Sequence, residues 1–403
     1  MTNAELIAQA VEMINKGIIS TSALASGGKL NAEQANRMID FVFDETKLRG
    51  LVRMVKMRAE QYDIDKIGVG KRVARAKTEG VDPGVRRGVT TSKVSLNKKT
   101  IMVPWELTTE FLEDAIETGS TLEDHVASMM GKQFANDLEG MYIAGDKNGP
   151  AVPESDIIDG GASDEVVDDL HALVDGWVKL STGGHILDVD SAGISSNVFS
   201  RAKKQLPTKF RRRLSMMRFF LPMDTEETYR NVLASRGTAL GDNAIQNEIG
   251  VKAMGVQLEP LALMEPNPLK VAHVTLTGTT PVQLNGDKNI TDAVAHLQTL
   301  ATTPTAAIAD PADIIFDLAA GTVERSGGSS LPTPVAVKIT YRAQTEMLLC
   351  EGRNLILGIG RDITIKRDED IFKDVKQWAM TVRVAVEIEE SDAVVLVKNI
   401  AIE

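Results

Sequence analysis

Apolar residues recur at helical spacing in a few separated windows of the chain and alternate in others. Leu6, Ile7, Ala10, Val11 and Ile14 share one helical face, and Gly17 stops that helix. A small polar bridge, Ser20 to Lys29, leads to a second helix from about Asn31 to Leu48. Its face holds Ala35, Met38, Ile39, Val42 and Phe43, and Gly50 stops it. The two helices read as an N-terminal arm. Leu51 to Arg58 alternates as a strand does. Glycines and Asp82-Pro83 then interrupt the chain too often for a helix. Val73 to Ala76 and Thr90 to Leu96 are expected to be the two strands of a long hairpin with its tip near Gly80 to Gly88. The chain is expected to turn at Val103-Pro104-Trp105 into helical sequence. Thr108 to Thr118 forms one piece, ended by Gly119. After a capping box at Thr121-Leu122-Glu123-Asp124, Leu122, Val126, Met129, Met130, Phe134, Leu138, Met141 and Tyr142 define one long one-sided helix that closes at Gly145-Asp146.

Beyond a Pro- and Asp-bearing loop, helices are expected from Glu165 to about Lys179, over Asn197 to Lys204 and over Thr225 to Arg236. A strand at Met217 to Leu221 lies between the last two, and Gly250 to Leu258 reads as turn and strand. Residues 268–345 are richer in Thr, Ala, Pro and Gly and poor in charge, which suggests an inserted subdomain. Near the C-terminus, Ile363 to Lys366 and Thr381 to Ile388 alternate. Glu390-Ser391-Asp392 turns into a last apolar strand, Ala393 to Val397.

Charge changes this picture most between residues 66 and 139. Ten Lys or Arg stand against two acids from Lys66 to Lys99. Nine acids stand against one Lys from Glu106 to Glu139. The basic stretch has few large apolar residues and cannot bury much of itself. A basic extended arm beside an acidic helix suggests a subunit that binds copies of itself. Over all 403 residues the net charge is −11, which argues against a nucleic-acid reader with a wholly basic surface but leaves a local patch open. Apolar and charged shares of 43% and 25% are those of a globular chain with room for two or three domains. The single cysteine, Cys350, excludes an intrachain disulfide and a Cys-ligated zinc site and fits a reducing compartment. No signal peptide and no membrane span are expected.

Catalytic constellations do not form. His185-Ile-Leu-Asp188-Val-Asp190 has ligand-like spacing but a single His, and a solvated turn accounts for it. His125 beside Glu123 and Asp124, and His171 beside Asp168 and Asp169, read as surface pairs on helices. Gly68-Val-Gly70-Lys71-Arg72 fails as a phosphate loop, because Asp65 and Arg72 stand where Gly and Ser or Thr are needed. Gly358-Ile-Gly360-Arg361 lacks the third Gly of a dinucleotide fingerprint and reads as a strand-end turn. The dense run Lys203-Lys204, Lys209, Arg211-Arg212-Arg213 is a solvated face, an ion-pairing subunit edge or a DNA contact.

The order of these parts resembles the major capsid protein of tailed bacteriophages, the Hong Kong ninety-seven fold. The residues that carry the resemblance are the long helix ending Leu138-Glu139-Gly140-Met141-Tyr142-Ile143-Ala144-Gly145-Asp146, then Gln205-Leu206-Pro207 with Arg211, and Arg218-Phe219-Phe220-Leu221-Pro222. Further on come Arg236-Gly237-Thr238-Ala239-Leu240-Gly241-Asp242, Gly255-Val256-Gln257-Leu258, the stretch Asn354 to Asp362, Arg383 and Asp392-Ala393-Val394-Val395. The resemblance implies an α+β fold with an N-arm and first strand (1–65), an extended hairpin or E-loop (66–100) and a P-domain with its spine helix (101–164, the helix at 121–145). An A-domain (165–345, with 268–345 inserted) and returning P-domain strands (346–403) complete it. It implies hexamers and pentamers closing an icosahedral shell around double-stranded DNA, held by weak non-specific contact. A portal and a separate scaffold or decoration protein would be further partners. The shell would be a virion capsid, assembled in the host cytoplasm. No catalytic, cofactor or metal residues are implied.

The interface residues expected on the hairpin are Arg72, Arg75, Lys77, Arg86, Arg87, Lys98 and Lys99. Those expected on the acidic helix are Glu110, Glu113, Asp114, Glu117, Glu123 and Asp124. Two rival readings stand beside this one: an encapsulin-like compartment around a cargo protein, and a metal-dependent enzyme. Neither a fused scaffold segment before the arm nor maturation cleavage is expected. Some relatives cross-link through isopeptide bonds with the help of a glutamate just before the position matching Arg383, where this chain has Thr381 and Val382. Assembled particles are therefore expected to run as single-subunit bands on a denaturing gel; a covalent ladder overturns this.

Overall fold

The computed structural model describes residues 18–19, 48–68, 74, 79, 90–109, 120–149, 170–235, 252–277, 279–297, 305–307, 313–327, 331, 333–370 and 373–401. The two N-terminal helices and the helix expected over 108–118 lie outside them.

A five-stranded sheet is built on one antiparallel ribbon. Strands Leu355–Asp370 and Val375–Ile388 pair from Leu355↔Ile388 to Asp370↔Val375. Lys99–Thr108 adds along one side, antiparallel to the second of these, and Arg53–Lys56 runs parallel to the first on the other side. Strand alternation sends Trp378, Met380, Val382, Val384 and Val386 to one face. There they meet Phe134, Leu138 and Met141 of the long helix Ser120–Ala144 in the main core. Trp105 and Trp378, directly opposed in the register, stack with centroids 6.1 Å apart and planes 6° from parallel. Each such buried side chain contributes about 1.5–3 kcal/mol.

Three expectations about local structure give way to this pairing. Val103-Pro104-Trp105 is no turn: the strand runs through to Thr108, and Glu106 lies on it. Among the described residues Pro104 has no outer strand partner, since Ile18 and Ile19 pair beside it only with Glu106 and Leu107, and a proline is tolerated there. Gly358 to Arg361 is likewise no strand-end turn. It lies inside the single strand Leu355–Asp370, where the register shifts between Ile359 and Thr364. The helix expected up to Lys179 shrinks, among the described residues, to Trp177–Leu180. Here Asp146 N–H donates to the His171 carbonyl and Gly176 N–H to the Gly145 carbonyl. A Cβ on Gly176 would lie 2.6 Å from the Ile143 carbonyl oxygen. That close backbone approach takes up groups that a continuing helix would use.

A six-stranded sheet, in the order 185–188, 395–400, 345–351, 217–222, 256–261, 252–253, forms a second unit. Helices Ser196–Gln205 and Met223–Ala234 cover it, with Phe199 packed edge-on against Phe219 and Tyr229 at 4.8 Å. Residues 269–342 form a four-stranded and a three-stranded sheet around a core of their own that includes Leu276, Leu284, Val323, Val337 and Ile339.

Buried ions join this third body to the six-stranded sheet. Lys398 Nζ lies 3.0 Å from Asp287 Oδ1 and 3.4 Å from Glu346 Oε1. Lys270 Nζ lies 2.5 Å from Glu346 Oε1 and 3.4 Å from Asp287 Oδ2. Tyr341 Oη donates to Asp287 Oδ2 at 2.7 Å. Burial disfavours the Asp287 carboxylate, but the two lysines outweigh it and hold its pKa below the ordinary value. Gly321, at φ +64°, makes room for this arrangement, since a Cβ there would meet the Asp287 carbonyl oxygen at 1.8 Å. Asp287→Ala leaves two buried amines to share Glu346 alone and is expected to cost about 3–5 kcal/mol in urea unfolding. Adding Lys398→Met should recover part of that loss; full additivity of the two changes would contradict the coupling.

Candidate functional site

The feature best placed to act outside the chain is a hairpin springing from the five-stranded sheet. Gln61–Gly68 pairs antiparallel with Thr90–Asn97, from Gln61↔Asn97 to Gly68↔Thr90. The outgoing strand is therefore 61–68 and not the expected 73–76, of which only Ala74 is described, outside any strand. Residues 61–68 mix acids with Tyr62, Ile64 and Ile67, so their alternation was hard to see.

At its root the hairpin is anchored. Leu96 and Met57 pack with Ile356 and Ala385, and Ile64 lies against them. These partners alternate with the residues under the long helix, so helix and hairpin occupy opposite faces of one sheet. Lys66 donates to the Glu389 carbonyl and lies 3.3 Å from Glu390. Nearer the sheet than Lys66, Asp63 pairs with Lys93 across the strands at 2.9 Å. Hydrogen bonds from Ser95, Lys93 and Gln61 lower the Asp63 pKa to about 2. Ile67 is 75% exposed and Tyr62 41%.

Of the expected basic site, Lys98 is half-buried and Lys99 exposed at the hairpin exit, and neither forms an ion pair among the described residues. Arg72, Arg75, Lys77, Arg86 and Arg87 lie outside the description, as do Glu110, Glu113, Asp114 and Glu117. Glu123 and Asp124 fall in the first turns of the long helix. The described residues bring no part of the basic set onto the acidic set. Glu139 belongs to the core side of the helix, where it is buried and accepts from the Leu48 N–H at 3.4 Å.

The carboxylates of the other polar clusters pair with amines of this chain. Asp188 accepts from Asn399 at 3.0 Å and pairs with Lys288 at 2.8 Å, and Lys288 also pairs with Asp190. An amine thus fills the expected turn. Among the described residues no group of three or more His, Cys, Asp or Glu is placed to hold a metal. His171 lies in a turn instead of the expected helix. A cavity of about 210 Å³ opens between the end of the long helix and Met264–Pro268. On its wall Asp146 pairs with Lys179 at 2.8 Å, and Glu346 with Lys270 and Lys398. Sequence reasoning missed these ions, although Glu346 and Lys398 interrupt apolar strand runs and so carried a visible signal.

A long helix on one face of a sheet, a hairpin rooted on the other and a second sheet-and-helix unit define the shell-protein fold of tailed phages. The capsid of a native GTA particle shares it, at a TM-score of 0.52 and 12% identity, over 95% of this chain and 99% of that one. A Bacillus subtilis (strain 168) protein named as a prophage capsid protein, YqbE, is 30% identical over 257 residues, 63% of this chain and 76% of that one. The chain belongs to this family of phage capsid proteins, which is structural and not enzymatic. No protein-family model matches. The encapsulin of a holo-SrpI complex from Synechococcus elongatus PCC 7942 aligns over 95% of this chain and 96% of its own at 8% identity and a TM-score of 0.47.

The lowered Asp63 pKa makes the hairpin acid-sensitive. A depressed folded pKa contributes stability that is full above the unfolded value near 3.8 and lost as pH falls toward 2. Asp63→Asn should flatten this acid limb in unfolding measured between those pH values; an unchanged limb refutes the assignment.

Proposed function

We propose that this capsid protein assembles as hexamers and pentamers into an icosahedral shell that encloses double-stranded DNA, with the basic hairpin as the strap between subunits. One observation carries the reading. The hairpin is rooted in its own sheet, yet it exposes Tyr62 beside that root and Ile67 further out, and Lys98 and Lys99 at its exit lack an ion-pair partner among the described residues. Such a ribbon has too little core to hold itself and gains order by lying on another surface.

The acids Glu110, Glu113, Asp114, Glu117, Glu123 and Asp124 of a neighbour supply the opposite charge for Arg72, Arg75, Lys77, Arg86, Arg87, Lys98 and Lys99. Single exposed pairs contribute about 0–1 kcal/mol, so their number and register matter more than any one of them. In this reading 66–100 is the intersubunit loop, 101–164 with 346–403 the peripheral domain, and 165–345 the axial domain with its insertion at 268–345. A portal and a separate scaffold or decoration protein complete the particle, which assembles in the host cytoplasm and becomes the virion capsid.

Reversing charge together at Arg86, Arg87, Lys98 and Lys99 should abolish shells in electron micrographs while the subunit's unfolding curve stays unchanged. Normal shells at moderate salt would refute the electrostatic strap. Purified particles should contain nucleic acid; a protein cargo in its place would indicate a compartment.

A further inference from the structure

The basic run at 203–213 divides into two sets with different work. Lys203 Nζ donates to the Met254 carbonyl at 2.5 Å and ties its helix to the adjoining turn. Arg211 Nε donates to the Leu206 carbonyl at 2.6 Å, and its Nη2 reaches the Lys204 carbonyl at the end of the same helix. Lys209 lies over the Phe210 ring at 4.5 Å and 3.5 Å from Asp392. These three cations hold the turn in place.

Arg212 and Arg213 follow Arg211, whose side chain reaches back to the Lys204 carbonyl, so the remaining cations of this segment are Lys204, Arg212 and Arg213. All three are exposed, and none has an acidic partner within ion-pair range among the described residues. Three cations without ion-pair partners among the described residues thus stand within residues 204–213 of a chain whose net charge is −11. Leu206 is buried and Phe210 half-buried beneath Lys209, so the exposed large apolar side chains nearby among the described residues are two methionines, Met216 and Met254, with no aromatic among them. A protein partner needs an apolar anchor and a shaped surface. A nucleic-acid backbone needs only accessible positive charge, and without interleaved aromatics the patch suits a duplex better than unstacked bases.

We infer that Lys204, Arg212 and Arg213 form a contact for the phosphate backbone of double-stranded DNA, made without regard to sequence. The inference rests on the reading of the shell as a DNA container and names the residues that meet the DNA. Arg211 and Lys203 act as positioning residues for them.

The test measures binding of the full unassembled chain to a labelled duplex of about 30 base pairs, by anisotropy, over roughly 50 to 200 mM salt. The triple variant Lys204→Gln, Arg212→Gln, Arg213→Gln should lower affinity equally for unrelated sequences. Its slope of log affinity against log salt should be shallower by about 2–3. The charge-keeping variant Lys204→Arg, Arg212→Lys, Arg213→Lys should retain the parental slope. An unchanged slope in the glutamine variant, or an equal loss in both, overturns the proposal. So does a glutamine variant that keeps its DNA slope but forms no shells, because the patch is then a subunit contact. Shells forming normally without the expected slope change would leave the shell reading standing and remove only this one.

Discussion

The register of one antiparallel ribbon, Leu355–Asp370 against Val375–Ile388, is the constraint on which the rest of this molecule depends. Its alternating side chains serve two cores. Trp378, Met380, Val382 and Val384 meet the long helix, while Ile356 and Ala385 meet the root of the hairpin. A slip of one residue would turn each set to the wrong face and lose both attachments together. The Trp105–Trp378 stack adds shape specificity to the helix side, where large flat rings tolerate little displacement.

A second constraint sets the body at 269–342 against the six-stranded sheet. Lys270, Lys398, Asp287 and Glu346 are buried together, with Tyr341 closing the ring. Apolar residues of equal volume could stabilise such a junction as well or better, so its ionic character argues for a role in fixing geometry. Two carboxylates and two amines are satisfied at one relative placement, whereas an apolar contact tolerates sliding. Strand Val335–Arg342 leads into Thr345–Glu351 with two residues between them, so chain continuity and the ions act on the same joint.

Charge in this protein is segregated by task. Buried charges are paired within the chain, as at Asp287 and Asp146. Among the charges without an ion-pair partner in the described residues are Lys98 and Lys99 at the hairpin exit and Lys204, Arg212 and Arg213 around the turn after Ser196–Gln205. Both places are exposed, and both suit partners recognised through charge and repeated many times in a closed particle. Weak individual contacts are an advantage there, since assembly must correct misplaced subunits before the shell closes.

The long helix was legible because Phe134, Leu138, Met141 and Tyr142 recur with its period, and the strand over Thr381 to Ile388 because its valines alternate. The order of such elements was enough to indicate a capsid protein. Periodicity reports which face of an element is apolar, and that is a local property. It could not show that Pro104 sits within an edge strand, that Gly358 to Arg361 continues a strand, or that the hairpin leaves along 61–68. Each of those outcomes was decided by a strand distant in sequence that supplied hydrogen bonds and overrode local punctuation. The charged residues divide in the same way. Their sequence determined that basic and acidic stretches exist. Tertiary structure decided which cations are consumed, as Lys398 and Arg211 are, and which face outward, as Lys204 and Arg212 do, because only folding fixes the distance from each charge to its counter-charge.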